Sequence, residues 1–188
     1  MSLLRRWTGT EWEYVNVGRQ TCWIPAGAWT PRETNGAELT TREINGITVP
    51  VLAFDKTADE GANLMLAMPE SWNGEPIRVK PVWTASGGGA ADTVQFEVRG
   101  GCFADDAAIN VTGLGVAVAI NDTWIADNDV HEAPESGDLT LANAAKSRLT
   151  ILEIIRDVSD DDLDTDAELI GVRLFYDEDQ PVDNDLTP

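Results

Sequence analysis

An acidic segment in the second half of the chain carries the residue types that bind hard cations. Between Asp157 and Glu168, aspartate alternates with other residues at four positions: Asp160, Asp162, Asp164 and Asp166. Calcium is bound by several carboxylate oxygens that converge on one point, and alternating aspartates in a loop can supply them. The segment lacks the glycine and the flanking helices of an EF-hand, so a surface hairpin with solvated carboxylates is the preferred interpretation. The four aspartates are weak metal candidates, and calcium is the one cofactor that the sequence suggests.

Catalytic motifs are missing from the sequence. The chain has one histidine, His131, and any Ser-His-Asp or Cys-His arrangement would have to use it. No Gly-x-Ser-x-Gly elbow is present, and the glycine runs Gly87–Gly89 and Gly100–Gly101 lack the frame of a phosphate-binding loop. With 33 acidic residues, a pair of carboxylates carries no information about glycosidase chemistry. We therefore predict that the protein is not an enzyme.

The charge of the chain limits its partners. Thirteen Lys and Arg against 33 Asp and Glu give a net charge of −20. Residues 95–188 carry 22 acidic and 5 basic side chains, so the second half is the more acidic. Nucleic acids and anionic membranes are bound through clustered Lys and Arg, which argues against both as partners.

Membrane insertion, export and disulfide formation are not indicated either. The longest run without charge or strong polarity, residues 113–120, is far shorter than the roughly 20 residues of a membrane-spanning helix. The first residues, MSLLRRWTG, lack the apolar stretch of a signal peptide, which favours residence in a cytoplasm. Cys22 and Cys102 form no CxxC pair, and we expect two buried free thiols.

Period-two alternation and frequent turn residues predict an all-β protein. Residues 148–156 alternate Leu149, Ile151, Glu153 and Ile155 with residues of the opposite face, as in a half-buried strand. Eight strands are predicted in this way: Gln20–Ile24, Gly46–Phe54, Ala62–Met68, Pro76–Ala85, Thr93–Arg99, Val116–Ile120, Arg148–Arg156 and Ala167–Tyr176. About eight such strands favour a jelly-roll-like two-sheet β-sandwich. Short helical turns are possible at 105–110 and 139–146.

The two ends differ from this central part. We expect an extended N-terminal arm at 1–17, the sandwich at 18–176 and an acidic flexible tail at 177–188. The arm holds apolar and basic residues without a local core, and several of the seven tryptophans stand beside loop sequence, where aromatic residues often form interfaces. The interface candidates are Leu3, Leu4, Arg5, Arg6, Trp7, Trp12 and Trp29.

Four segments together carry a resemblance to a known group of proteins. They are WIPAGAWTPR at 23–32, NGAE at 35–38, PESWNG at 69–74, and residues 156–168 followed by LIGV. Their order resembles a group of small β-rich virion proteins of tailed bacteriophages and prophages. The group brings no catalytic residues with it.

The resemblance implies a structural role on a phage particle. The first expectation is a capsid decoration (cement) protein in the virion, assembled in the host cytoplasm. Its partners would be the major capsid protein and its own copies in a homotrimer. The alternative is a head- or tail-fibre module that binds host surface glycans through loop tryptophans. A third hypothesis is a carbohydrate- or calcium-binding β-sandwich outside any virion.

Overall fold

β-strands make up nearly all the regular structure in the computed structural model, which describes residues 3–7, 9–10, 12–16 and 18–178, with 3–7 and 12–16 described by backbone. The described strands are β1 (Leu3–Trp7), β2 (Trp12–Asn16), β3 (Arg19–Pro25), β4 (Thr30–Pro31), β5 (Glu38–Ile44), β6 (Ile47–Phe54), β7 (Gly61–Ala67), β8 (Arg78–Thr84), β9 (Thr93–Phe103), β10 (Val118–Thr123), β11 (His131–Glu132), β12 (Leu149–Arg156) and β13 (Ala167–Asp177). Two 3₁₀ turns lie at Ala26–Ala28 and Val111–Gly113.

Two antiparallel sheets form a β-sandwich, which confirms the predicted fold class. One sheet has five strands in the order β10-β9-β12-β7-β4. The other has the order β11-β8-β13-β6-β5, with β3 also paired to β13. The described part of the chain contains no helix with the length and apolarity of a membrane span.

The interior between the sheets is built from the alternating apolar positions that the sequence shows. Phe96 of the five-stranded sheet meets Phe54 and Trp83 of the other sheet edge to face, with ring centroids 5.8 and 6.4 Å apart. Trp72 is fully buried, and its indole N–H donates to the carbonyl of Glu75. The loop tryptophans therefore serve the core, where each ring removes a large apolar area from water.

Trp29 is one of these core residues, so its prediction as an interface residue is wrong. Its side chain is 2% exposed, because the 3₁₀ turn before it directs the ring between the sheets. The expectation for the cysteines is correct for Cys102, which is buried, and wrong for Cys22, which is exposed. Cys22 lies on β3, where Ile24 is the one residue classed as buried.

Some elements differ from the prediction. Strand β5 is not among the predicted strands, because it is a polar edge strand with no buried position. The Asn45-Gly46 pair that joins it to β6 has positive φ at both residues, as a tight hairpin turn requires. The helical turns expected at 105–110 and 139–146 are wrong, since both segments are irregular.

The N-terminal arm folds back on itself instead of remaining a single extended segment. Strands β1 and β2 pair antiparallel in a separate two-stranded sheet, with Leu3 opposite Asn16 and Trp7 opposite Trp12. The side chains of the interface candidates Leu3, Leu4, Arg5, Arg6, Trp7 and Trp12 lie outside the described part. The boundary at 177 also shifts, because Asp177 ends β13 and Glu178 bridges to Trp72. The rest of the predicted tail, 179–188, lies outside the described residues.

Two adjacent glycines lie within β9, although their sequence suggests a turn. Gly101 faces out of the sandwich, and a Cβ there would overlap the carbonyl oxygen of Gly113. The amide of Gly115 donates to the carbonyl of Gly100 at 2.9 Å. The absence of side chains thus lets residues 109–115, which we call the crossing segment, lie against the outer face of β9.

This packing predicts the effect of adding one methyl group. We expect Gly101→Ala to lower the free energy of unfolding by about 1–3 kcal/mol, because the new Cβ forces the crossing segment away from β9. Gly27→Ala is the matched control, since a Cβ at Gly27 meets nothing within 4 Å. Urea unfolding of both variants measures the difference. Equal stabilities of the two variants would contradict the packing described.

Candidate functional site

The carboxylates of the four aspartates proposed as metal ligands are bound by other groups of the chain. The carboxylate of Asp162 accepts hydrogen bonds from the amide and the hydroxyl of Thr93, at 2.5 and 3.0 Å. Asp164 pairs with the ammonium of Lys56 at 2.6 Å, and Asp166 accepts from the Lys56 amide at 3.2 Å. These hydrogen bonds lower the pKa of Asp162 and of Asp164 below the usual range.

Asp160 has its own partner as well, the side-chain amide of Gln95 at 3.4 Å. Within 3–7, 9–10, 12–16 and 18–178, no three His, Cys, Asp or Glu side chains are grouped so that they could hold a metal ion. The alternation visible in the sequence therefore does not become a calcium site in the described residues, because the carboxylates are directed to Gln95, Thr93 and Lys56 instead of to one point.

A buried arginine occupies the centre of this acidic loop. Arg156 is fully buried, and its Nε and Nη2 donate to the two carboxylate oxygens of Asp161 at 2.7 and 3.0 Å. The remaining donors reach the carbonyls of Phe54, Leu163 and Thr165 at 2.7–3.2 Å. The loop thus binds a cation of its own chain. The sequence signal was available, since the alternation places Arg156 on the same face as buried leucine and isoleucine.

The outer face of the five-stranded sheet carries the candidate site. Strand registers place Arg99 opposite Glu153, Glu153 opposite Asn63 and Asn63 opposite Thr30. The four side chains share one face because directly opposed residues in a sheet point the same way. They form a polar row across four strands, which we call the polar row.

The charges in the polar row are fixed by two ion pairs. Glu153 is 4% exposed, and its Oε2 lies 2.6 Å from Nε of Arg99. Its Oε1 lies 3.7 Å from Nε of Arg32, whose side chain crosses Gly61. A Cβ on Gly61 would come within 2.6 Å of the Arg32 side chain. One nearly buried carboxylate is therefore held between two guanidinium groups, and the outer N–H groups of these arginines are available for a ligand.

Apolar side chains complete a groove beside the polar row. Met65 forms part of the floor and is 63% exposed, while Ile109 and Val111 of the crossing segment form a wall and are 63% and 56% exposed. Ile151 also lines the groove and lies directly opposite Met65, on the neighbouring strand β12. The groove has a volume of about 480 Å³, which falls in the range of small-molecule sites in proteins. No pattern in the sequence predicts this site, because its residues come from segments 30–32, 63–65, 103–114 and 151–153.

One end of the same sheet face is acidic. Glu97 precedes Arg99 on the outer face of β9 and is partly buried. Burial raises the pKa of Glu97 above its usual value, and the neighbouring charges of Asp157 and Asp160 act in the same direction. Arg99 opposes this rise only in part. The charge on Glu97 is therefore unfavourable in the folded state.

The histidine that catalysis would require lies inside the fold. His131 is 5% exposed and stacks on Trp83 with ring centroids 4.4 Å apart. Its Nε2 has no hydrogen-bond partner among the residues that the structure describes. The ring thus serves packing between β11 and β8.

Comparisons with known proteins bear on the fold. No protein-family model matches the sequence, and no curated protein matches it. A similar solved structure is that of the CBM22-1–GH10 modules of endo-1,4-beta-D-xylanase 10B from Clostridium thermocellum, complexed with xylohexaose. The TM-score is 0.50 and the identity 15%, and the match covers 89% of this chain. This chain spans 30% of the xylanase chain.

Two further solved structures are single carbohydrate-binding modules. A CBM28 module specific for non-crystalline cellulose has a TM-score of 0.41 and 10% identity, over 80% of this chain and 84% of its own. The mannan-recognising module TmCBM27 has a TM-score of 0.43 and 11% identity, over 84% and 98%. The similarity to the xylanase modules shows the fold, a jelly-roll β-sandwich of the type found in carbohydrate-binding modules.

The contacts of Arg156 predict a large loss of stability on substitution. We expect Arg156→Met to lower the free energy of unfolding by about 3–5 kcal/mol, because Asp161 would remain as a buried charge without its partner. Arg148→Met removes an exposed arginine just before the other end of β12 and is expected to change stability by less than about 0.5 kcal/mol. Urea unfolding measures both, and a small effect at Arg156 would show that the guanidinium does not hold the loop.

The raised pKa of Glu97 predicts a stability difference that depends on pH. Because the pKa of Glu97 is raised in the folded state, its contribution to the free energy of unfolding is fully present below its unfolded-state pKa of about 4.5. That contribution is lost as the pH rises through the folded-state pKa. Glu97→Gln should therefore be more stable than the natural chain at pH 7, and the gain should disappear below pH about 4.

Glu132 gives the control of opposite sign. A hydrogen bond from Lys80 lowers the pKa of Glu132, so its contribution is present above the unfolded value and is lost as pH falls. Glu132→Gln should lose stability at pH 7 and match the natural chain in acid. Unfolding at both pH values tests the pair, and shifts of the same sign would refute the assignment.

Proposed function

We propose that this protein is a non-catalytic carbohydrate-binding module that binds a neutral glycan in the groove of the five-stranded sheet. The observation that carries the proposal is the groove itself, in which exposed apolar side chains lie beside fixed polar groups. The described residues expose ten large apolar side chains, and three of them line this groove: Met65, Ile109 and Val111. Sugars present the same combination, since their rings have C–H faces and hydroxyl edges.

The polar groups of the groove suit hydroxyl ligands. The side-chain amide of Asn63 can both donate and accept, and the hydroxyl of Thr30 can do the same. Glu153 offsets one of the two guanidinium charges beside it, so these three side chains keep a net charge of +1. The amide of Asn63, the hydroxyl of Thr30 and the exposed apolar side chains suit the hydroxyls and C–H faces of an uncharged glycan.

The similarity of fold supports the same conclusion. The xylanase modules with a related fold are complexed with xylohexaose, and further structures with lower scores are modules for cellulose and mannan. A glycan-binding module agrees with the alternative drawn from the sequence, a head- or tail-fibre module. The sequence resemblance is the one support for three further proposals: the phage setting, the capsid decoration role and the homotrimer.

Binding to oligosaccharides tests the proposal directly. We expect the natural chain to bind at least one member of a panel of xylohexaose, cellohexaose, mannohexaose and mixed-linked β-glucan tetrasaccharide in isothermal titration calorimetry. Asn63→Ala should raise the Kd about tenfold, because it removes one polar contact with the glycan. A tenfold change in Kd corresponds to about 1.4 kcal/mol, which lies within the usual net contribution of one hydrogen bond. Thr40→Ala, on the exposed edge strand β5 of the other sheet, should leave binding unchanged.

Two results would contradict the proposal. Absence of binding to every glycan of the panel would remove the ligand class. Release of new reducing ends from the corresponding polysaccharides would contradict the non-catalytic role. Melting temperatures of both variants within about 2 °C of the natural chain would show that a loss of binding does not come from a loss of folding.

A further inference from the structure

An exposed tryptophan lies on the outer face of the six-stranded sheet, on the opposite side of the sandwich from the groove. Trp23 of β3 is 46% exposed, and its six-membered ring lies over Gly171 of β13. A Cβ on Gly171 would come within 2.5 Å of Cζ2 and 2.7 Å of Cη2 of that ring. The glycine thus lets the indole lie close against the sheet while it remains open to solvent.

The surroundings of Trp23 are polar and ordered. Its register partner on β13 is Arg173, and the register partner of Arg173 on β8 is Lys80. Both cations reach one carboxylate, that of Glu132, at 2.9 and 3.1 Å. Trp23 is therefore bordered by a row of hydrogen-bonding groups in which one carboxylate joins two cations.

A shallow hollow follows on the same face. Phe175 lies two residues beyond Arg173 on β13, so it faces the same way, and the guanidinium of Arg19 covers its ring at 4.0 Å. The hollow beside them has a volume of about 320 Å³ and also includes Arg78 and Asp138, which are paired at 2.8 Å. Its size and polar walls suit one or two sugar units.

We propose that Trp23 and the adjoining hollow form a second glycan-binding surface. The indole stacks on the C–H face of one sugar ring, and the paired polar groups of the hollow hydrogen-bond the hydroxyls of the next unit. The inference shares its ligand class with the proposed function, and it concerns a different face of the molecule. The four cations on this face, Arg19, Arg78, Lys80 and Arg173, pair with three carboxylates, so most of their charge is compensated. The ligand expected is therefore an uncharged glycan, whose binding depends only weakly on salt.

The position of the second surface has a functional consequence. The two sheets pack about 10 Å apart, so their outer faces point in opposite directions. A single glycan chain cannot lie along both faces at once without a sharp reversal, whereas two chains can be held together by one protein. The module would thus cross-link polysaccharide chains, and two weak sites would give high avidity on a dense glycan surface.

Four variants separate the two surfaces. Trp23→Ala removes the platform, the pair Asn63→Ala and Met65→Ala alters the groove, and the combination alters both. Ile47→Ala is the matched control, because Ile47 is a large apolar side chain that is 68% exposed on the β5–β6 hairpin. The readouts are the affinity for the bound oligosaccharide in calorimetry and the light scattering of the corresponding soluble polysaccharide. Melting temperatures check folding, and Trp23→Phe, which keeps an aromatic ring, replaces Trp23→Ala if the latter unfolds.

The second surface predicts a loss of cross-linking with retained groove binding. We expect Trp23→Ala to reduce the scattering of the polysaccharide mixture at least fivefold while the groove still binds the oligosaccharide. The altered groove should leave residual binding that disappears when Trp23→Ala is added. Trp23→Phe should retain part of the scattering signal, and Ile47→Ala should behave like the natural chain.

The failures of the two proposals differ. If Trp23→Ala equals the natural chain in affinity and scattering while the groove variant loses all binding, the second surface is refuted and the proposed function stands. If Trp23→Ala abolishes binding and the groove variant does not, the platform is the site and the groove assignment is refuted. If the natural chain binds no glycan of the panel, both are refuted.

Discussion

The sandwich depends on one buried guanidinium that joins its two sheets. Arg156 ends β12 in the five-stranded sheet, and it donates to the carbonyl of Phe54, which ends β6 in the six-stranded sheet. The other contacts of Arg156 bind the loop that leads from β12 into β13. A buried charge of this kind is tolerated because every N–H donor of the guanidinium has an acceptor. Removal of any acceptor would leave a buried donor without a hydrogen bond, which lowers the stability of the fold. Within the acidic loop, Asp161 is the carboxylate that meets this need.

The groove depends on the same strand. Because β12 is held at its end by the Arg156 cluster, Glu153 is placed three residues earlier on the opposite face, at the centre of the polar row. The crossing segment forms the wall of the groove, and it can approach β9 closely because Gly101 has no side chain. Rigid elements thus supply the floor, and a tightly packed loop supplies the wall, as a preorganised binding site requires.

The sequence was sufficient for the fold class and for most strand positions, since alternation is a local signal of burial on one face. It was misleading where function was inferred from one segment. Four alternating aspartates resemble a metal site locally, whereas the groups that bind them, such as Lys56 and Thr93, lie far away in the chain. Trp29 and Trp23 illustrate the same difficulty, because which of the two is exposed depends on strand pairings that the local sequence does not contain. The groove is assembled from four distant segments, and no single segment reveals it.

The order of the strands also bears on how the chain reaches this structure during synthesis. Among the described strands, β12 and β13 are the last in sequence, and they occupy interior positions in the two sheets, with partners on both sides. Neither sheet can form completely until these strands leave the ribosome. More than 40 residues must be synthesised after β9 before β12, which pairs with both β7 and β9, is available. Such distant pairings slow folding and leave strand edges open to wrong partners. The excess of acidic over basic side chains between β9 and β12 offers protection in that interval, because nascent chains that repel one another aggregate less readily.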